Sequence, residues 1–240
     1  MIKGWEYLLE AAKDFEFDLT EAQLQKFDIY LRLLQEWSRK INLTAIEDDQ
    51  GIVIKHFIDS LLFLKKINLS SKMVVLDLGT GAGFPGLPLK IWQPEVKVVL
   101  ADSLQKRIRF LEEVVKNLEL KNIGIVHGRA EDLAREKSYR EKFDCVVARA
   151  VASLPVLAEY CLPFVAKEGF FAAAKGPDLE EELVQAEQAI KTLGGEVLTV
   201  EYYLLPYLEE KRSLIKILKS SLTPKKYPRK AGLPAKRPLS

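Results

Sequence analysis

Cysteine, histidine and methionine are scarce in this chain, with two of each among 240 residues. Cys145 and Cys161 are isolated thiols with no partner at ligand spacing, which argues against a zinc site and a disulfide framework. No metal ion is expected, and a reducing cytoplasm is the expected compartment. No apolar run approaches the roughly 18 residues of a membrane span. The start, Met1 to Glu16, mixes Lys3, Glu6, Glu10, Lys13 and Asp14 into its apolar positions, so neither a signal peptide nor an anchor is expected. What remains, 48% hydrophobic and 29% charged residues, suits a globular protein with a sizeable core, one main domain with an appendage. A balance of charge is also missing. Lys219 to Ser240 carries seven cations and no acid, so a net charge of +2 overall leaves −5 on the rest of the chain. Such a tail suits nucleic-acid phosphates, or it is a solvated, disordered terminus.

From Thr20, the residues Leu24, Phe27, Leu31 and Leu34, flanked by Tyr30 and Trp37, recur at helical spacing, with Thr20 and Gln23 as a capping box. Val53, Phe57, Leu61 and Leu64 form a second stripe from about Gly51 to Lys66. Residues 1–70 therefore read as a helical region without strands. Beyond Ser71 short β-branched runs (Met73 to Leu76, Val96 to Leu100, Ile123 to Val126, Phe143 to Val147, Phe170 to Ala174) alternate with helical segments (Pro85 to Trp92, Leu104 to Leu118, Glu131 to Lys137, Leu154 to Val165, Asp178 to Leu193). That alternation predicts right-handed βαβ crossovers in a mostly parallel sheet with helices on both faces. Glu196 to Leu204 and Arg212 to Leu218 have no helix between them and predict an antiparallel pair at one sheet edge, turning near Pro206. The domain organisation that follows is 1–70 helical, 71–220 α/β and 221–240 a basic tail, with the Pro- and Lys-rich stretch from Thr223 left without structure.

The first strand-to-helix turn is the usual ligand cradle of such a sheet. Here it reads Leu76-Asp77-Leu78-Gly79-Thr80-Gly81-Ala82-Gly83-Phe84-Pro85-Gly86. Gly81, Gly83 and Gly86 spell G-x-G-x-x-G, and Asp102 follows about 20 residues on, at the end of the second strand, where a ribose-binding acid belongs. Pro85 suits the first helical position. A dinucleotide enzyme and an S-adenosylmethionine enzyme both fit. Asp77, just before the first glycine, favours the second, because a carboxylate there meets the ammonium of a bound amino acid but repels a pyrophosphate. The terminal antiparallel pair also departs from a second mononucleotide-binding half.

Gly79-Thr80-Gly81-Ala82-Gly83-Phe84-Pro85-Gly86-Leu87-Pro88-Leu89 closely resembles the bacterial RsmG family, also called GidB, whose members methylate N7 of a guanosine in small-subunit ribosomal RNA. The resemblance extends through Asn42-Leu43-Thr44, His56-Phe57-Ile58-Asp59-Ser60-Leu61, Asp102-Ser103-Leu104, Lys106-Arg107, Arg149-Ala150-Val151-Ala152-Ser153-Leu154, Lys175-Gly176 and Tyr227-Pro228-Arg229-Lys230-Ala231-Gly232-Leu233-Pro234. It implies a Rossmann-like class I S-adenosylmethionine-dependent methyltransferase of 16S ribosomal RNA, acting on the RNA or the small ribosomal subunit, with neither DNA nor membrane as partner. It places Gly79, Phe84, Asp102, Ser103, Leu104, Ala130, Glu131 and Arg149 in the cofactor pocket, beside Asp77 and Gly81 from the turn. Asp102 would accept from both ribose hydroxyls, Ala130 and Glu131 would frame the adenine, and Arg149 would grip the methionine carboxylate or an RNA phosphate. Lys175 and, in a tail separable from cofactor binding, Lys225, Lys226, Arg229, Lys230, Lys236 and Arg237 are the expected RNA contacts. His56 and Asp59, three residues apart on a helix, are expected to touch, as a structural pair or as a substrate-facing one. Cys145 and Cys161 are expected to pack in the core.

Guanine N7 carries a free lone pair, so methylating it needs orientation and no general base. The lack of an obvious histidine or cysteine catalyst agrees with that acceptor. Carbon-5 pyrimidine methylation needs a thiolate that no Pro-Cys or Thr-Cys setting offers here. Exocyclic-amine methylation usually brings an Asn/Asp-Pro-Pro-aromatic loop, where this chain has Ala148-Arg149-Ala150-Val151. An NAD-dependent oxidoreductase and a nonenzymatic RNA-binding protein are the competing classes.

Overall fold

The computed structural model describes residues 4–149 and 152–239; Met1 to Lys3, Ala150, Val151 and Ser240, including the middle of the Arg149-to-Leu154 motif, lie outside the described residues. The amino-terminal part is helical. Helix α1 (Trp5–Asp14), inside the expected helical region though no stripe marked it out, buries Leu8 and Ala11 one turn apart. Helix α2 (Glu21–Ser38) opens with the expected capping box: Thr20 Oγ1 accepts from the Gln23 N–H at 3.3 Å, and Gln23 Oε1 accepts from the Thr20 N–H at 2.8 Å. The second expected helix is continuous but not uniform, running as α3 (Asp49–Ile52), a π-helical turn (Val53–Ile58) and α4 (Asp59–Ile67).

Seven strands follow: β1 (Val74–Leu78), β2 (Lys97–Asp102), β3 (Ile123–His127), β4 (Phe143–Arg149), β5 (Val165–Lys175), β6 (Gly195–Leu205) and β7 (Glu210–Lys219). Their order in the sheet is β3-β2-β1-β4-β5-β7-β6. The first five run parallel, and β7 lies antiparallel to both β5 and β6. Strand order reverses between β1 and β4, so the switch point lies where these two strands end. The connecting helices are α5 (Gly86–Trp92), α6 (Gln105–Asn117), α7 (Ala130–Leu133), α8 (Leu154–Cys161) and α9 (Leu179–Thr192), with a short α10 (Leu233–Lys236) in the tail. Helix α7 ends earlier than expected, and Arg140 donates to the Ala134 carbonyl just past that end at 3.2 Å.

Strand periodicity divides the core in two. Along β4, Cys145 and Val147 join one cluster with Val75, Val98 and the α2 residues Phe27, Tyr30 and Leu34. Val146 and Ala148 face the other, with α8 and α9 residues such as Leu157, Cys161 and Ile190. The amino-terminal helices thus supply one face of the sheet with its cover.

The tail departs from the expectation of an unstructured terminus. Tyr227 is buried in the second cluster and Pro234 is buried in α10. Arg140 donates to the carbonyls of Tyr227 and Thr223 at 2.9 and 2.8 Å, and Arg135 to that of Pro228 at 2.6 Å. Proline and cation content signalled disorder, but arginines in the body satisfy the tail's carbonyls, and its aromatic residue fills the core. One of the seven counted cations is not on the surface at all. Lys219 is fully buried, donating to the Leu162 carbonyl at 2.7 Å and to Thr223 Oγ1, with Glu141 3.8 Å away. Lys219→Ala leaves a cavity and unpaired acceptors, so chemical denaturation should show a loss of about 2–4 kcal/mol. A loss under about 0.5 kcal/mol would mean this buried ammonium contributes nothing net to the fold.

Candidate cofactor and substrate pockets

The turn after β1 is closed by a carboxylate. Asp77 is fully buried; its Oδ2 accepts from Thr80 Oγ1 at 2.6 Å and from the Gly86 N–H at 2.7 Å. The Gly79 and Thr80 N–H groups donate to the Ala101 carbonyl at 2.9 and 3.1 Å, and the Tyr30 hydroxyl from α2 donates to the Ala82 carbonyl at 2.5 Å. The glycines divide their work. A Cβ on Gly86 would stand 2.4 Å from Leu100 Cδ2 and 2.7 Å from Asp77 Oδ2, so that glycine lets α5 pack on the sheet. At Gly81, with φ of 61°, a Cβ would meet nothing nearer than the Gly79 carbonyl at 3.9 Å. The left-handed backbone there excludes other residues while the space in front stays open to a ligand. Pro85 caps α5 from outside its first turn, one position earlier than expected.

A hollow of 370 Å³ opens at the carboxyl ends of β1, β2 and β3, and it collects Gly79, Asp102, Ser103, Ala130 and Glu131. Five of the ten predicted cofactor residues thus line one cavity of ligand size. Asp102 is buried, its Oδ1 accepting from the Leu104 N–H at 2.9 Å and its Oδ2 from the Gly81 N–H at 3.0 Å and Arg107 at 3.3 Å. A carboxylate offers about four lone-pair sites, so capacity for a ribose hydroxyl remains, but Asp102 also fixes the glycine turn and the start of α6. Leu104 contributes its backbone to that arrangement, and its side chain is exposed. Glu131 Oε1 accepts from the Gly232 N–H at 2.8 Å, and Gly232 and Ala235 of the tail complete the hollow. The tail is therefore not separable from this pocket, contrary to the expectation from sequence.

Asp77, Gly81, Phe84 and Arg149 do not line that hollow. Arg149 belongs to a second one, of 430 Å³, at the ends of β4, β5 and β7 across the switch point. There Arg149 donates to the Lys55 carbonyl and Asp59 Oδ2, both at 3.4 Å, and to His56 Nδ1 at 3.3 Å. Its guanidinium carbon lies 5.1 Å from the centre of the Phe84 ring, on which His56 also stacks at 4.6 Å. A guanidinium has only donors, so Nδ1 accepts and Nε2 carries the imidazole proton, donating to Thr44 Oγ1 at 2.8 Å. Burial, then the Arg149 charge, pushes the His56 pKa down to about 3. His56 is neutral with both nitrogens committed.

His56 and Asp59 do not bond to each other; Arg149 joins them. The π turn carrying His56 widens the helix, so residues three apart no longer stack as in α geometry. Asp59 also receives Arg212 Nε at 3.4 Å. Lys55, Arg149, Lys175 and Arg212 line this hollow against Asp59 and Glu182, and Glu210, bonded to Lys55 at 2.6 Å and Arg212 at 2.8 Å, leaves it one excess positive charge. Arg212, Tyr30 and Gly232 escaped sequence reasoning as site residues, since each reaches its site from a distant element at no local spacing, and so did Lys55, the neighbour of His56 on the π turn. Of the predicted RNA contacts, Lys225, Lys226, Lys230, Lys236 and Arg237 are exposed. Lys175 is paired with Glu182 at 2.8 Å and Arg229 with Glu159 at 2.6 Å. Larger hollows, of 610 and 660 Å³, lie along α9 and β6 at the sheet edge; the first is away from the strand ends that carry these residues, and the second, lined by Pro177, Asp178 and Lys211, adjoins the Lys175 and Arg212 side of the second hollow. Among the described residues no three His, Cys, Asp or Glu side chains come together as metal ligands.

Residues 23–214 match the model of the family described as GidB, rRNA small subunit methyltransferase G. The chain is 52% identical over 233 residues, 97% of each chain, to ribosomal RNA small subunit methyltransferase G of Desulforamulus reducens. It is 50% identical over 97% of its length to the protein of that name from Acetivibrio thermocellus, covering 96% of that relative. In fold it resembles a SAM-dependent methyltransferase from Aquifex aeolicus, with a TM-score of 0.53 at 20% identity, over 77% of this chain and 98% of the other.

Among the described residues the buried Asp77 Oδ1 has no hydrogen-bond partner, and it is the atom that a cofactor ammonium would suit. Burial raises the Asp77 pKa from 3.8 to about 6 against the pull of Thr80 and Gly86. A carboxyl whose folded pKa exceeds its unfolded one withdraws stability as pH rises from about 4 to about 6, and the loss persists above. Asp77→Asn retains an oxygen for Thr80 and Gly86 but no charge. The free variant should melt at or above the parent at pH 7.5, while its affinity for S-adenosylmethionine falls at least about tenfold. Parental affinity in calorimetry would leave Asp77 as a turn-closing residue alone.

Proposed function

The chain belongs to the rRNA small subunit methyltransferase G family, and on that footing we propose that it transfers a methyl group from S-adenosylmethionine to N7 of a guanosine in 16S ribosomal RNA. The observation that carries the choice of acceptor is His56, the imidazole nearest the switch point, whose two nitrogens are both taken and whose proton affinity is low. A general base must be free to accept a proton near neutral pH, and His56 is not. Guanine N7 asks for none.

Bound, S-adenosylmethionine supplies an electrophilic methyl group on a cationic sulfur. In this reading the chain's own residues do the rest by positioning. Asp102 and Glu131, each with acceptor capacity left, face hydroxyl and amine donors in the first hollow. Gly79 and Gly81 leave the turn low enough for close approach. Arg149 holds an anionic oxygen at the boundary, the cofactor carboxylate or an RNA phosphate. The cationic second hollow receives the RNA, where Lys55, Lys175 and Arg212 offset the phosphate charge near the acceptor base. Both thiols are fully buried and burial pushes their pKa up, so neither serves as the nucleophile of carbon-5 chemistry. Lys225, Lys226, Lys230, Lys236 and Arg237 add an exposed basic surface for ribosomal RNA. Among the described residues no helix is long and apolar enough to cross a membrane.

The product identifies the acceptor atom. N7 methylation places a fixed positive charge on the base and weakens its glycosidic bond, so 16S RNA treated with the protein should break at one site after reduction and aniline. Mass spectrometry should find the added methyl on guanosine. A modified but aniline-resistant RNA would move the methyl to N1, N2 or the 2′ oxygen.

The same reading fixes a pH profile. The raised Asp77 pKa, about 6, and the lowered His56 pKa, about 3, both lie below pH 7, so neither group changes charge between about pH 7 and 9. Single-turnover rates at saturating cofactor and RNA should be flat over that range. A tenfold rise per pH unit through any part of it would reveal a required base and a different acceptor.

A further inference from the structure

A buried ion pair ties the tail to the wall of the first hollow. Glu159, on α8, is wholly inaccessible to solvent. It receives four hydrogen bonds from one residue of the tail. The Arg229 backbone N–H donates to Oε1 at 2.7 Å, Nε donates to both oxygens at 2.9 and 3.0 Å, and a terminal nitrogen donates to Oε2 at 2.6 Å. This fork fixes both position and direction of the chain, as a single ammonium would not. Three residues on, Gly232 takes a left-handed backbone with φ of 80° and aims its N–H at Glu131 Oε1. A Cβ at Gly232 would meet nothing within 4 Å. Gly232 is also one of the residues that line the hollow.

We propose that Glu159, Arg229 and Gly232 are positioning residues for cofactor binding: the buried pair holds residues 229–236 against α8 so that the Gly232 N–H orients the Glu131 carboxylate and the segment closes one side of the pocket. Arg229 is among the expected RNA contacts; its guanidinium is bonded to Glu159, whereas Lys225, Lys226, Lys230, Lys236 and Arg237 are exposed. Glu131, with one oxygen held from the tail, turns its remaining lone pairs toward a donor in the hollow. A carboxylate free to rotate would lose part of its affinity to ordering on binding. Glycine at 232 meets two demands, the positive φ and an open face toward the ligand.

The inference rests on the reading of this hollow as the cofactor site, and the test separates the two. Full-length Arg229→Lys keeps a charge for Glu159 but loses the fork. A second variant, Glu159→Gln ending at Pro228, removes the segment without leaving a buried charge unpaired and retains Tyr227 and the Arg140 contacts. Calorimetry with S-adenosylhomocysteine, which needs no RNA, reads the effect directly, and thermal melts of the free proteins report folding. Arg229→Lys should weaken binding about threefold to tenfold and the second variant at least about tenfold, from loss of one charge-assisted hydrogen bond or more. KM for S-adenosylmethionine should rise in parallel. At saturating cofactor and RNA, kcat should change far less than KM, because the reacting atoms are held elsewhere. Asp102→Ala is the control for the pocket. If Asp102→Ala weakens binding and both tail variants bind as the parent does while folded, the positioning role is overturned and the cofactor site stands. If Asp102→Ala leaves the affinity unchanged in a folded protein, the cofactor site is elsewhere and both fall.

Discussion

A guanidinium withdrawn from water at the end of β4 sets the terms for much of this molecule. Arg149 is only 13% exposed, and its contacts with Asp59, His56 and the Lys55 carbonyl are all long, 3.3–3.4 Å. Burying a charge is costly unless it is paired and hydrogen-bonded. The carboxylate in contact with it among the described residues, Asp59, is shared with Arg212. The imidazole is forced neutral, and the Phe84 ring offers its face. Each compensation recruits a different element: the π turn gives His56 and the Lys55 carbonyl, α4 gives Asp59, and the glycine turn gives Phe84. An under-compensated cation at a sheet's switch point retains donors for an anion, which is what a site for cofactor or RNA requires.

That constraint explains why the amino-terminal helices cannot be treated as an ornament on the sheet. Tyr30 fixes the glycine turn through the Ala82 carbonyl, and its ring lies against both Phe57 and Phe84. Thr44, in the loop after α2, accepts the Nε2 proton of His56, whose tautomer Arg149 sets. Loosening α2 would therefore disturb the turn that faces one hollow and the imidazole beside the other. The apolar stripe of α2 is at once core and scaffold.

The turn, the strands and the two acids were legible because their signals are local. Asp77, the glycines and Asp102 lie at fixed offsets from a strand end, and a parallel strand declares itself by a β-branched run. The residues that reach in from afar had no such signal. Arg212 starts a strand in the antiparallel edge pair, 153 positions from its partner Asp59. His56 and Asp59 were read with α-helical spacing, and nothing in Val53 to Ile58 announces the π turn that separates them. The tail was misjudged for a related reason. Its composition describes a segment that cannot bury itself, but Arg135, Arg140 and Glu159, far off in sequence, bury it.

The tail also shows how one stretch of charge can divide into unlike roles. Seven cations read from the sequence as a uniform field, suited to counterion release on RNA. In the folded chain Lys219 is a staple among carbonyls, Arg229 is locked to Glu159, and only the remaining five face outward. An arginine and a lysine taken inside this way cost desolvation that no RNA contact returns, so their place must be justified by the geometry they impose. For Lys219 that geometry joins the end of β7 to the Leu162 and Leu193 carbonyls that follow α8 and α9. For Arg229 it brings a glycine N–H to a carboxylate at the mouth of β3. The basic surface is then carried on a segment whose inner side is already fixed, and phosphates would meet five charges held at set positions on a packed segment rather than on a free chain.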